Sequence, residues 1–362
     1  MFVAWRDLRF AKGRFALMGT VIVLITALVG LLSGLTAGLG RQNTSAITGL
    51  PADRIAFQAP GDGQHLSYAD STVTRRQWRL WAGAPGVTSA EPLGITTTRA
   101  TAGHRGTGVS AFGVRPGSRL APDSDRIDGR SVVLSTAAAD GLGVGPGDSL
   151  HLAGQRLKVA AVRGEAFFGH TPVVWTSLDT WRRTAPPTGA GEGPTATVIA
   201  LRTTSQTALA ATDHRAGTRT VTTGDSLSAI GSYTSENGSL QLMRGFLFAI
   251  SALVIGAFFT VWTIQRSGDV AVLKALGAST ATLLEDALGQ AVVLLVAGTL
   301  TGTGIAAALG ALVSRSTVPF LLTPATVLLP AAVTIALGVA GAALSIRRIT
   351  SVDPLTALGS AR

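Results

Sequence analysis

The tetrapeptide Gly-Asp-Ser-Leu occurs twice, at Gly147–Leu150 and at Gly224–Leu227. The same string marks a class of serine esterases, in which a histidine oriented by an aspartate activates the serine hydroxyl. The Asp-x-x-His pair at Asp62 and His65 lies upstream of both copies, the wrong order for that class. Glycine followed by Asp-Ser is also ordinary turn chemistry, and the first copy is read as a turn between two strands. His65, His104, His151, His170 and His214 show no metal-ligand spacing and are read as scattered surface residues. The chain has no cysteine, which excludes disulfides and thiolate metal sites. It has no G-x-x-x-x-G-K-[ST], so no phosphate cradle of its own. The expectation is a chain without catalytic residues, metal or bound cofactor.

The elements that would have to position any chemistry are dominated by membrane sequence. Only 14% of residues are charged and 46% are hydrophobic, against about 25% charged in soluble domains. The deficit is concentrated in four runs without Asp, Glu, Lys or Arg: Phe15–Gly40, Gly245–Gln265, Ala287–Ser314 and Ser316–Ile346. A spanning helix needs roughly 20 apolar residues, and each run qualifies. Pro319, Pro324 and Pro330 move the spanning part of the fourth run to about 324–346. A cleaved signal peptide is the weaker reading of the first run, which is too long and lacks a small-residue cleavage site. The spans contain no ionisable residue in their interiors, which argues against a proton relay or ion pathway. The net charge of +10 comes from dispersed arginines and span flanks, so nucleic acid is not an expected partner.

Basic residues set the orientation. Arg6, Arg9, Lys12, Arg14, Arg266, Lys274, Arg347, Arg348 and Arg362 fall on one side, and Arg315 alone occupies the short loop on the other. The positive side is cytoplasmic. The expected order is a cytoplasmic tail (1–14), span one (15–40), an extracytoplasmic domain (41–243), span two (244–265), and a cytoplasmic helix and loop (266–286). Span three (287–314), an outer loop (315–323), span four (324–346) and a cytoplasmic tail (347–362) follow. The fold class is therefore an α-helical membrane protein with four transmembrane helices. A mixed α+β domain is inserted between helices one and two. Short β-branched runs at 130–135, 150–153, 157–162 and 172–176 make about 128–180 its strand-rich part, with weaker helical stretches at 74–82 and 205–212. Residues 183–194 read as a Pro/Gly-rich loop.

Two further patterns bear on function. Gly30, Gly34 and Gly38 in span one, and Gly298, Gly302 and Gly310 in span three, repeat at four-residue spacing or its multiple. Such faces let helix backbones approach in lipid, either within the chain or between two chains. The second pattern is the short segment after span two. If 267–278 is helical, Val270, Leu273 and Gly277 share a face, Val272 and Leu276 lie on a neighbouring one, and only Asp269 and Lys274 interrupt, so its amphipathicity is poor. It is read as clamped between the membrane helices and a partner protein; a helix lying on lipid headgroups is the alternative.

In three places the sequence resembles the FtsX-like or MacB-type permeases of ABC systems. Arg266-SGDVAVLKALGAS-Ser279 looks like the family's cytoplasmic stretch between spans two and three. Arg347-RITSVDPLTAL-Leu358 looks like its C-terminal tail, with Asp353-Pro354 after basic residues. Val132 to Val162, turning through Gly-x-x-x-Gly-Asp, is similar to its extracytoplasmic segment. Asp269 stands where glutamate is commoner, and Gly359 where the tail often continues with arginine. The resemblance implies a separate ABC ATPase subunit, two copies with ATP and Mg, felt through Arg266, Asp269, Val270, Leu273, Lys274, Gly277, Asp353 and Pro354. It also implies a second permease, identical or paralogous, in a bacterial cell membrane in contact with lipid. The implied role is export, or mechanical handling on the outer side, of lipid, lipoprotein, peptide or drug. The alternative is non-transporting signalling to an outer partner such as a cell-wall hydrolase.

Overall fold

The computed structural model describes residues 12–184, 195–204, 209–265, 268, 272, 277, 279–314 and 318–350. They form two compact units, one of Leu39–Gly238, the other of the chain up to Gly38 and from Ser239 onward.

Helix α1 (Lys12–Thr48) carries the first apolar run and continues past Gly40. No breaker interrupts Arg41-Gln-Asn-Thr, and the Thr44 and Thr48 hydroxyls bond back to Gly40 O (2.8 Å) and Thr44 O (3.3 Å). The helix stops where Gly49 and Pro51 make continuation unfavourable.

The Leu39–Gly238 unit then runs β1 (Arg54–Gln58), α2 (Arg75–Ala82), β2 (Val87–Ala102), β3 (Arg105–Val114), β4 (Ser131–Leu134), α3 (Thr136–Leu142), β5 (Ser149–Leu152) and β6 (Gln155–Val162). It continues with β7 (Phe167–Phe168), β8 (Thr171–Ser177), α4 (Leu178–Thr184), β9 (Val198–Thr203), α5 (Leu209–Ala216) and β10 (Thr218–Thr222). The strand order is β10-β1-β9-β2-β3-β8-β4-β6-β5. Strand β5 then returns to β2 through Ala100↔Leu152 and Thr101↔His151, so β2-β3-β8-β4-β6-β5 closes on itself. The sixteen-residue β2 is the shared wall: Val87–Leu93 pairs with β9, and Gly94–Ala102 pairs with β3. Closure removes exposed edges that would otherwise invite pairing with another chain.

Strands thus extend well outside 128–180. The longest two, β2 and β3, are rich in Thr, Gly and Ala and carry few large apolar residues, so their alternation is faint in sequence. The glycines have a packing reason, because a β-carbon at Gly94 or Gly113 would enter the Trp181 side chain. Helix α2 starts on a capping box in which Thr74 Oγ1 accepts from Gln77 N and Gln77 Oε1 accepts from Thr74 N. Trp81, fully buried, donates from Nε1 to Thr218 Oγ1 at 3.0 Å and ties α2 to β10. On the other face Phe57, Tyr68, Phe168 and Phe112 form an edge-to-face chain with centroids 4.8, 5.3 and 5.8 Å apart.

The second unit holds the inner part of α1 with α6 (Gly231–Gln265), α7 (Thr280–Val313) and α8 (Pro324–Thr350). Helix α6 begins well before Gly245, so its outer turns belong to the Leu39–Gly238 unit. Ser279 caps α7 by accepting from Thr282 N, which starts that helix before the apolar run does. Pro324 stands at the first position of α8, where its missing N–H costs nothing, and Pro330 lies inside the helix. Met18, Ile22, Ile255, Phe259, Ala291 and Leu295 form the common core. Around it Leu253, Leu312 and Leu344 are largely exposed, a pattern suited to hydrocarbon rather than water.

Candidate functional site

The outer ends of α1 and α6 converge on one turn of the Leu39–Gly238 unit, the β7–β8 hairpin. His170, at φ 63°, forms its tip. The Gly169 and His170 N–H groups donate to Asn43 O (3.0 Å) and Gln42 O (3.1 Å) of α1. Phe167 N donates to Ser45 Oγ at 2.9 Å, and Arg41 lies 3.7 Å from Glu165. From α6, Glu236 Oε2 sits 2.7 Å from His170 Nε2. A bond that short to a carboxylate places hydrogen on Nε2, which makes the ring the donor. The buried Asn43 amide donates to Ser232 Oγ (3.0 Å) and Glu236 Oε2 (3.2 Å), and Ser232 returns a bond to Asn43 Oδ1 (3.2 Å). One hairpin thus grips both helices that enter the domain from the membrane spans.

Sequence reading missed this site. His170 reads as a scattered surface histidine, yet it is half-buried and bonded to a residue 66 positions away. The available signal was the segment Arg41-Gln-Asn-Thr-Ser directly after span one, which has no Gly or Pro to stop the helix from carrying polar groups into the domain.

In the membrane unit the glycines divide into two sets. A β-carbon at Gly30 would come within 2.9 Å of Ala306 Cβ, one at Gly298 within 2.8 Å of Ile22, and one at Gly302 within 2.5 Å of Val23 O. These are close crossings of α1 and α7. Gly34 and Gly310 instead flank the Phe320 ring, and Gly38 faces the Pro319 carbonyl. Leu321 N donates to Gly34 O at 3.0 Å. Residues Pro319–Leu321 therefore fold back against α1 and α7. All six glycine faces are filled within the chain.

Two family models cover most of the sequence. The MacB-like periplasmic core domain matches residues 15–219, and the FtsX-like permease C-terminal domain matches 242–354. The chain belongs to the MacB/FtsX-type ABC transporter permeases. The permease is 24% identical over 371 aligned residues to HrtB of Staphylococcus epidermidis, named for a hemin transport system; 99% of each chain is covered. It is 25% identical, again over 99% of each, to an uncharacterized ABC transporter permease of Mycobacterium tuberculosis. Among solved structures, the extracellular domain of the noncanonic ABC-type transporter YknZ from Gram-positive bacteria matches at 16% identity and TM-score 0.34, over 47% of this chain and 99% of that one. The periplasmic region of MacB from Actinobacillus actinomycetemcomitans matches at 12% identity and TM-score 0.37, over 51% and 96%. The permease is a multi-pass plasma-membrane protein with four membrane helices and an extracytoplasmic α/β domain between the first and second.

Of the expected coupling residues in the permease, Arg266, Asp269, Val270, Leu273, Lys274, Asp353 and Pro354 lie outside the described residues. Gly268 and Val272 are helical, but Gly277 is a turn residue at φ +95°. Its own backbone is therefore not helical, contrary to the helix-face reading of Gly277. Gly277 instead supplies a left-handed backbone conformation two residues before the Ser279 cap.

The two Gly-Asp-Ser-Leu copies also part company. The first follows a helix, α3, rather than a strand, and Asp148 Oδ2 accepts from Gly145 N at 2.8 Å. A second Asp-x-x-His, Asp148 to His151, overlaps it, but that aspartate is spent on its own turn. In the second copy the Ser226 hydroxyl donates to Thr223 O (2.7 Å) and accepts from Tyr68 (2.9 Å). Burial raises the Tyr68 phenol far above its ordinary range, so it stays a neutral donor. Both copies are structural turns.

Proposed function

We propose that this permease subunit relays motion driven by a separate ATPase to its extracytoplasmic domain through the grip of the β7–β8 hairpin on α1 and α6. The observation that carries the reading is the His170–Glu236–Asn43–Ser232 network. It joins one turn to the two helices that connect the domain to the membrane helices. Displacing either helix end would strain the hairpin, and through β8 the closed ring of strands.

In this reading both termini and 266–286 are cytoplasmic. Two ATPase copies carry ATP and Mg, and a second permease, identical or paralogous, completes the complex in lipid. Spans without interior ionisable residues offer no hydrophilic path. The cargo is accordingly a lipid, lipoprotein, peptide or drug handled on the outer side. Hemin, in the name of the staphylococcal relatives, shares that amphipathic class.

The test uses the full permease with its co-purified ATPase in nanodiscs and follows amide exchange. ATP addition should change protection of the Gly169 and His170 amides, and His170→Ala should abolish ATP-dependent changes in β8 while leaving hydrolysis intact. Exchange at the hairpin that ignores ATP in the wild type would overturn the relay.

A further inference from the structure

Hydroxyls within membrane helices are normally satisfied by their own backbone. Thr20, Ser251, Thr260, Thr301 and Thr334 follow this habit, each donating to the carbonyl four residues earlier. Thr26, Ser33, Thr36 and Thr299 do not, and their buried hydroxyl oxygens find no partner among the described residues. All four lie on α1 or α7, and Thr26 is only 2% exposed. An unsatisfied polar atom in hydrocarbon is costly, so each exception requires a cause.

For Thr26 the cause is a small cavity in the membrane unit. Its walls include Thr26, Gly30, Thr303, Phe320, Thr326 and Pro330, and the centre of a water-sized sphere can move over about 10 Å³ inside it. That matches the roughly 10–15 Å³ one water needs. Two residues of the same lining, Thr326 and Pro330, bear on the acceptor. Pro330 has no N–H, so the Thr326 carbonyl loses the donor that an α-helix would give it. The Thr326 hydroxyl cannot compensate, because it is committed to Leu321 O (3.1 Å) and Thr323 O (2.9 Å).

We propose that this cavity is a binding site for one ordered water, bridging the Thr26 hydroxyl of α1 and the Thr326 carbonyl that Pro330 deprives of its helical donor in α8, with Thr303 also in the lining. The water gives a partner to the carbonyl that Pro330 leaves without its helical donor.

The test is a double-mutant cycle on the full-length permease in nanodiscs, with Thr26→Val and Pro330→Ala made singly and together. Valine keeps the shape and removes the hydroxyl, whereas alanine restores an N–H for the Thr326 carbonyl. If the water is present, Thr26→Val lowers the thermal midpoint by about 2–4 °C, and its effect shrinks in the Pro330→Ala background. A midpoint that rises in Thr26→Val, as for a dry unpaired hydroxyl, or strictly additive effects, would overturn the site. Should the variants fail to insert, a water-resolving cryo-EM map of the wild type decides. A peak within hydrogen-bond distance of both Thr26 Oγ1 and Thr326 O supports the site, and an empty cavity refutes it.

Discussion

The extracytoplasmic domain and the membrane unit bury opposite things. In the domain Trp81, Phe57 and Phe112 are at zero exposure, while in the membrane unit Leu253 is 72% and Leu344 70% exposed. Water rewards hiding large apolar side chains; lipid does not, since hydrocarbon is as apolar as leucine. The membrane helices are held instead by close backbone approach at glycines. The same substitution should therefore have different consequences in the two regions.

The largest effect is expected in the domain. Trp81→Ala removes a fully buried ring and its bond to Thr218, and should cost about 3–5 kcal/mol, read as loss of exchange protection across α2 and β10. A smaller effect would mean that the domain core tolerates collapse as the membrane unit does. The membrane counterpart is Gly302→Ala, which sets a methyl against Val23 O and should cost about 1–3 kcal/mol. Leu253→Ala, on the lipid face, should stay within about 0.5 kcal/mol. Thermal midpoints of both variants in nanodiscs would check this, and a reversed order would dissolve the contrast between the regions.

The smallest effect concerns pH. The backbone N–H of Arg130, 2.7 Å from Asp128 Oδ1, is the main cause that lowers the Asp128 carboxyl below its ordinary range. A depressed folded-state pKa contributes stability above the unfolded value near about 3.9, and loses it as pH falls through the folded value. Acid titration of wild type against Asp128→Asn should show curves that differ by a small margin at neutral pH and converge only below about pH 4. The membrane unit, without interior carboxylates, should show no counterpart.

Legibility followed the range of the interaction. The four spans, the helical stretch at 74–82 and the strands at β4, β5, β6 and β8 stand out because each rests on neighbours a few residues apart. Strands β2 and β3 do not, since their Thr, Gly and Ala pattern makes sense only beside Trp181. The segment after span two is conspicuous as a segment. Gly277 in it looks like a helix-face residue until its backbone angle is known.

What the sequence determined by itself is therefore the solvent of each part. Charges are excluded from four runs because hydrocarbon does not solvate them, and that cost is local. The tertiary structure alone decided which distant groups meet. His170 finds Glu236 and Asn43, β5 closes on β2, Gly34 and Gly310 receive Phe320 rather than a neighbouring helix, and Thr26 shares the lining of one cavity with Thr326 and Pro330. Each pairing is one among many of similar composition, and only the packed chain selects it.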